Sequence, residues 1–152
     1  MTAIILPAQT LADTGYSIDN SCRFDDGDSA YLSFTPSGAG NRQTWTFSCW
    51  VKRGNLLGDT RADIFSVGHL TNNGWSDTTC FELQFGAGGT GEPDGIRVLG
   101  FNTIWLRTNR VFRDPSAWYH IVVAFDATQS TATDRLKLYI NGTEETSFGA
   151  DS

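Results

Sequence analysis

From residue 44 the chain alternates with a period of two: Trp45, Phe47, Cys49 and Val51 fall on one side, Thr46, Ser48, Trp50 and Lys52 on the other. In an extended chain these sets point to opposite faces, so the pattern predicts a strand over residues 44–53. Shorter runs rich in aromatic and β-branched residues predict strands over 22–24, 30–34, 63–67, 80–85, 95–101 and 104–107, with Gly, Pro, Asn and Asp between them. Residues 118–126 are apolar on both sides through Ile121, Val122, Val123, Ala124 and Phe125. A strand with two apolar faces belongs in the middle of a layered structure. Leu136, Leu138 and Ile140 alternate with Lys137 and Tyr139 and end at Asn141-Gly142, a dipeptide suited to the positive φ angles of a two-residue hairpin. No ten-residue stretch carries a 3.6-residue period. The expectation is an all-β, antiparallel two-sheet sandwich. On this reading Trp45, Trp50 and Trp118 are core residues, and Cys22 and Cys49 are small buried hydrophobes.

Residues 1–20 mix Pro7, Gly15 and polar positions with short apolar patches, and read as an arm preceding a domain over 21–152. Its Ile4, Ile5, Leu6 and Leu11 are candidates for docking onto a partner or a sheet edge. The 152-residue length is enough for one domain with one core. Eleven basic residues against seventeen acidic ones leave a net charge of −6, with no basic cluster, which argues against nucleic acid and an anionic membrane surface. No run is long enough to span a bilayer, so membrane insertion is not expected. The opening apolar run is too short for a signal peptide and no basic residue precedes it, so folding in a cytoplasm is expected. The three cysteines include no C-x-x-C pair, which leaves zinc and dithiol redox chemistry without support.

Trp118-Tyr119-His120-Ile121-Val122-Val123-Ala124-Phe125-Asp126, followed by Lys137-Leu138-Tyr139-Ile140-Asn141-Gly142-Thr143, resembles a laminin G-like or concanavalin A-like jelly roll. The segments at 22–32 and 45–52 look like that family's two opening strands. More narrowly, residues 111–120 together with 41–54 resemble a variant found near the N-terminus of marine phage virion and tail-fibre-like proteins. Family members usually continue past the Asn-Gly hairpin with strands that pair with the first one. The resemblance therefore implies that the jelly roll lacks its last strands, continues in a longer chain, or is completed by another chain.

The same fold hosts glycoside hydrolases, whose relatives carry Glu-x-Asp-x-x-Glu or a close variant on one strand; no such spacing occurs here. Glu82 stands alone on its strand, and Glu144 and Glu145 point to opposite faces. His120 reads as a packed, hydrogen-bonded strand residue, and His69 has no nucleophile beside it. No cofactor is implied. The resemblance also raises calcium, with Asp25, Asp26 and Asp28 as candidate ligands against a plain corner-forming turn. For a glycan, the chemistry asks for exposed aromatic faces beside planar polar groups. Trp75 with Asn73 and Asp77 is the first candidate, and Trp105 with Arg107 the second.

These observations and the resemblance together imply a non-enzymatic virion structural module, at the base of a phage tail or head fibre or as a decoration protein. It would dock to other virion proteins as a homo-oligomer, a trimer being the plausible state, after folding in the host cytoplasm. The alternative is a lectin-type module that binds host-surface glycan. A glycoside hydrolase ranks last.

Overall fold

A computed structural model describes residues 20–54, 56, 62–67, 81–86, 94–100 and 103–149. The chain divides into two compact units, Met1–Ala39 and Gly40–Ser152. In the described part of the first unit the backbone makes a single 3₁₀ turn at Asp26–Asp28. The Asp25 carboxylate accepts a hydrogen bond from the Gly27 N–H at 3.1 Å, which is how Asp forms a corner. The strands expected at 22–24 and 30–34 do not form. No ladder of hydrogen bonds reaches either segment among the described residues, and a lone strand leaves its backbone groups unpaired. Their side chains are exposed, Phe24 by 53% and Phe34 by 86%. Cys22, expected inside, is likewise exposed, because its alternation has no core to face.

The second unit is all-β. Among the described residues, eight antiparallel strands form two four-stranded sheets. The first sheet runs β1 (Thr44–Lys52), β6 (Trp118–Asp126), β7 (Leu136–Ile140), β8 (Thr143–Glu144). The second runs β2 (Ala62–Val67), β3 (Phe81–Phe85), β4 (Ile96–Gly100), β5 (Thr103–Arg107). The only other regular element among the described residues of this unit is a 3₁₀ turn at Ala132–Asp134. The Asn141-Gly142 turn has φ values of 52° and 80°, the geometry the dipeptide predicts. No helix among the described residues is long and apolar enough to cross a membrane.

The core lies between the sheets. Leu83, Ile96, Val98, Phe112, Ile121, Val123 and Leu138 are fully buried in it, and Trp45, Phe47, Cys49 and Val51 pack against them from β1. Each such large apolar side chain contributes about 1.5–3 kcal/mol on leaving water. The inward set of β1 is the one its alternation predicts. The strand expected to bury both faces behaves differently: β6 buries Ile121 and Val123, but Val122 and Ala124 opposite them are only half-buried. The strands buried on both faces are β3 and β4, whose outward positions include Glu82, Gln84 and Arg97.

Two bulges adjust the second sheet. One falls between Asp63 and Phe65 on β2, the other opposite Val98 and Leu99 on β5. An extra residue turns neighbouring side chains to one side, and both Trp105 and Leu106 accordingly pack on the core. Trp105 stacks on Phe125 with centroids 5.9 Å apart. It lies so close over Gly100 that a Cβ there would sit 2.2 Å from the indole. At one end of the sandwich Arg53 is buried, donating to Asp94 at 2.9 Å and to the Phe112 carbonyl at 2.7 Å. Arg113 donates to the other Asp94 oxygen at 2.8 Å. The triad ties β1 to the turn preceding β4 and to the segment preceding β6.

Candidate functional site

The outward face of the β1–β6–β7 sheet collects the side chains that chemistry can use. Pairing of β1 with β6 sets Lys52 beside Trp118, Trp50 beside His120, Ser48 beside Val122, Thr46 beside Ala124 and Thr44 beside Asp126. On the other side of β6, Tyr139 lies beside Val122 and Lys137 beside Ala124. The face is thus a ladder of rungs, aromatic at one end and polar at the other.

At the aromatic end Trp50 is 54% exposed and Trp118 48% exposed. Trp50 stacks on the His120 ring with centroids 4.9 Å apart and planes within 24°. His120 Nε2 and Ser48 Oγ share a hydrogen bond at 2.9 Å. The His120 N–H donates to Asn141 Oδ1 at 2.8 Å, and Asn141 N–H returns a bond of 2.8 Å to the His120 carbonyl. The β7–β8 turn therefore fixes His120, and His120 fixes Trp50. This is the packed, hydrogen-bonded histidine the sequence leads one to expect. The tryptophans are not where it puts them: Trp50 and Trp118 stand outside the core. Because the second face of β6 is only half-buried, Trp50 and Trp118 on that side keep about half of their surface in solvent.

The polar end is an open cavity of about 600 Å³. Its walls include outward Thr44 and Thr46 of β1, Ala124 and Asp126 of β6 and Lys137 of β7, with Gln129 and Asp134 from the β6–β7 connection. That connection is held in shape from within. Asp126 accepts from the Thr128 N–H at 3.0 Å, the Thr128 hydroxyl at 2.6 Å and the Gln129 amide at 2.7 Å. The Thr128 and Gln129 bonds hold its carboxyl below the usual carboxylate range. Arg135 donates to the Gln129 carbonyl at 2.8 Å. Lys137 lies between two acids, 3.7 Å from Asp134 and 3.6 Å from Glu144. The Asn41 amide donates to the Thr44 hydroxyl. Hydroxyl, amide, carboxylate and ammonium groups thus share the cavity lining with Ala124, Trp45 and Phe125.

Ile4, Ile5, Leu6, Leu11, Asn73, Trp75 and Asp77 lie outside the described residues. Trp105 packs with Phe81 and Phe125 on the core side of the opposite sheet, so its ring is covered rather than presented. Arg107 is half-buried on β5, its carbonyl accepting the Gly149 N–H at 2.8 Å and its guanidinium lying against Gly149. Asp25 and Asp28 are exposed in the first unit. Among the described residues no group of three His, Cys, Asp or Glu side chains is placed to share a metal ion. The aromatic face was signalled in the sequence by one detail, a large Trp50 on the polar side of an otherwise alternating strand.

A laminin G-type family model, described as the concanavalin A-like lectin/glucanases superfamily, matches residues 26–151. No curated protein and no solved structure matches the chain. The match takes in every strand of both sheets, and the two antiparallel four-stranded layers have the jelly-roll sandwich form it implies. The chain belongs to the concanavalin A-like lectin/glucanases superfamily.

Proposed function

We propose that this domain is a non-enzymatic binding module whose β1–β6–β7 face takes a carbohydrate. The observation that carries the reading is the exposed Trp50–His120 stack with Trp118 beside it. A sugar ring has an apolar C–H face and a polar rim, so it matches an aromatic plane edged by Ser48, Lys52 and hydroxyl-bearing neighbours. The non-enzymatic part of the reading is supported by how the carboxylates described on this face are engaged: Asp126 accepts from Thr128 and Gln129, and Asp134 and Glu144 pair with Lys137. The reading needs no metal or other cofactor.

Affinity electrophoresis in gels of soluble neutral polysaccharides (β-glucan, xylan, mannan, galactan and starch) tests it. At least one polymer is expected to retard the wild type, and Trp50→Ala to abolish the retardation with an unchanged melting temperature. No retardation by any polymer, or equal retardation of Trp50→Ala, contradicts the reading. Release of reducing sugar contradicts its non-enzymatic part.

A second reading is the virion structural module implied by the phage-like segments, docked to other virion proteins and homo-oligomeric. One observation favours it: Phe24, Tyr31, Leu32 and Phe34 of the first unit are 53–86% exposed, an apolar set of the kind a partner covers. A discrete oligomer that falls apart when residues 1–20 are removed supports it. A monomer indifferent to that truncation opposes it.

A further inference from the structure

We infer that residues 30–34 of one copy of this chain pair as an extra strand on the free edge of β1 in a second copy, the two copies exchanging these strands reciprocally. The inference is independent of the carbohydrate reading and concerns a different segment from the arm at residues 1–20.

The edge is the first argument. Among the described residues the two sheets end in four edge strands, β1, β8, β2 and β5. Three of them carry a device that discourages pairing with another chain. β8 is only two residues long. β2 is bulged between Asp63 and Phe65. β5 is bulged too, and the chain beyond it is bridged from Thr108 to Phe148. β1 has no such device. Its nine residues run in unbroken register against β6, include no Pro or Gly, and carry one charge, Lys52 at the end. An edge of that length and composition is a template for another strand. The core margin beneath it is also incompletely covered. Phe47, Cys49 and Val51 lie beside Val123, Ile121 and Tyr119 of β6. The β6 residues are buried, whereas Phe47, Cys49 and Val51, like Trp45, are only half-buried.

Residues 30–34 have the complementary form. Tyr31, Leu32 and Phe34 are 77–86% exposed. Tyr31, Leu32, Ser33 and Phe34 make no backbone hydrogen bond to another described residue. The run Ala-Tyr-Leu-Ser-Phe has no charge, Pro or Gly, and its aromatic side chains suit a strand. On the β1 edge its backbone groups gain partners, and Leu32 and Phe34, which share one face of an extended chain, extend over the half-buried row. The segment belongs to the unit that ends at Ala39 and the edge to the unit that begins at Gly40, so donating the strand leaves the sandwich intact. One chain carries both the strand to give and the edge to receive, and such an exchange closes on itself with two-fold symmetry.

Size-exclusion chromatography with light scattering, and amide hydrogen exchange on the same sample, test this on the whole chain. The expected result is a dimer in which the amides of residues 31–34 and of β1 exchange slowly. Leu32→Pro/Ser33→Pro removes two successive N–H donors, one of which faces the partner in either register. It is expected to give a monomer that still unfolds cooperatively. Leu32→Asp/Phe34→Asp keeps every backbone donor but removes the apolar cover, and is expected to do the same. A wild type that stays monomeric to millimolar concentration overturns the inference, as does a dimer whose residue 31–34 amides exchange freely. A monomer with those amides protected overturns it in favour of pairing within one chain. A dimer lost on removing residues 1–20 but kept in the proline variant overturns it in favour of the arm. Sugar binding is read separately by the gels, so the two readings fail independently.

Discussion

Cys49 and Trp50 are adjacent and point opposite ways, and their chemistry follows the direction. Burial pushes the Cys49 thiol up to about 11, so at neutral pH it is a small apolar side chain without a nucleophilic thiolate. Cys22 is exposed. Alkylation at about pH 8 with peptide mapping is expected to label Cys22 in the native protein and Cys49 only on unfolding. Trp105 and Gly100 form a second informative pair. Gly100→Ala forces a methyl group to within 2.2 Å of the indole and is expected to cost about 1–3 kcal/mol in chemical denaturation, as overpacked sites do. Trp105 shows where reading from the sequence stops. Beside Arg107 it reads as an aromatic presented to a ligand, and a bulge, which no period-two count contains, carries it to the core side.

The elements that could be read were those whose own alternation decides their facing. β1 and β7 present to the core the residues their periodicity assigns, and the Asn141-Gly142 turn takes the φ angles its dipeptide prefers. The elements that could not be read depend on what lies across from them. Nothing within 118–126 says that its second apolar face stays half-exposed, and nothing within 81–85 says that Glu82 and Gln84 are buried. The Arg53–Asp94–Arg113 triad was equally invisible, because its members are 41 and 19 residues apart. Burial alone would raise the Asp94 pKa, but hydrogen bonds from Arg113 and Arg53, with their charges, outweigh it and hold the carboxyl below its ordinary 3.8. Asp94→Ala leaves Arg53 buried without its anion and is expected to cost about 3–5 kcal/mol, with much of that recovered in Arg53→Met/Asp94→Leu. Because the folded-state pKa is the lower one, this stabilisation is complete above the unfolded value and lost as the pH falls through the folded value. Denaturation across pH is therefore expected to show a gap between wild type and Asp94→Asn that is constant above about pH 5 and narrows below about pH 4.

At the scale of the molecule, the all-β sandwich and the family were legible because the blocks at 45–52, 118–126 and 137–143 form the strands they resemble, and the family match spans residues 26–151. The proposed carbohydrate face was not legible, because it is a property of the assembled sheet: β1 supplies Trp50 and Ser48, β6 supplies His120 and Trp118, and the β7–β8 turn holds His120 in place. Fold membership does not choose among the superfamily's activities; the side chains on the face do. The most direct test of their role is to follow the indole N–H signals of the tryptophans by NMR, each assigned by a Trp→Phe variant, while a soluble neutral oligosaccharide is titrated in. The signals of Trp50 and Trp118 are expected to shift together, with Trp45 and Trp105 unmoved. Shifts confined to Trp75 or Trp105, or none at saturating sugar, would contradict the assignment of binding to the β1–β6–β7 face.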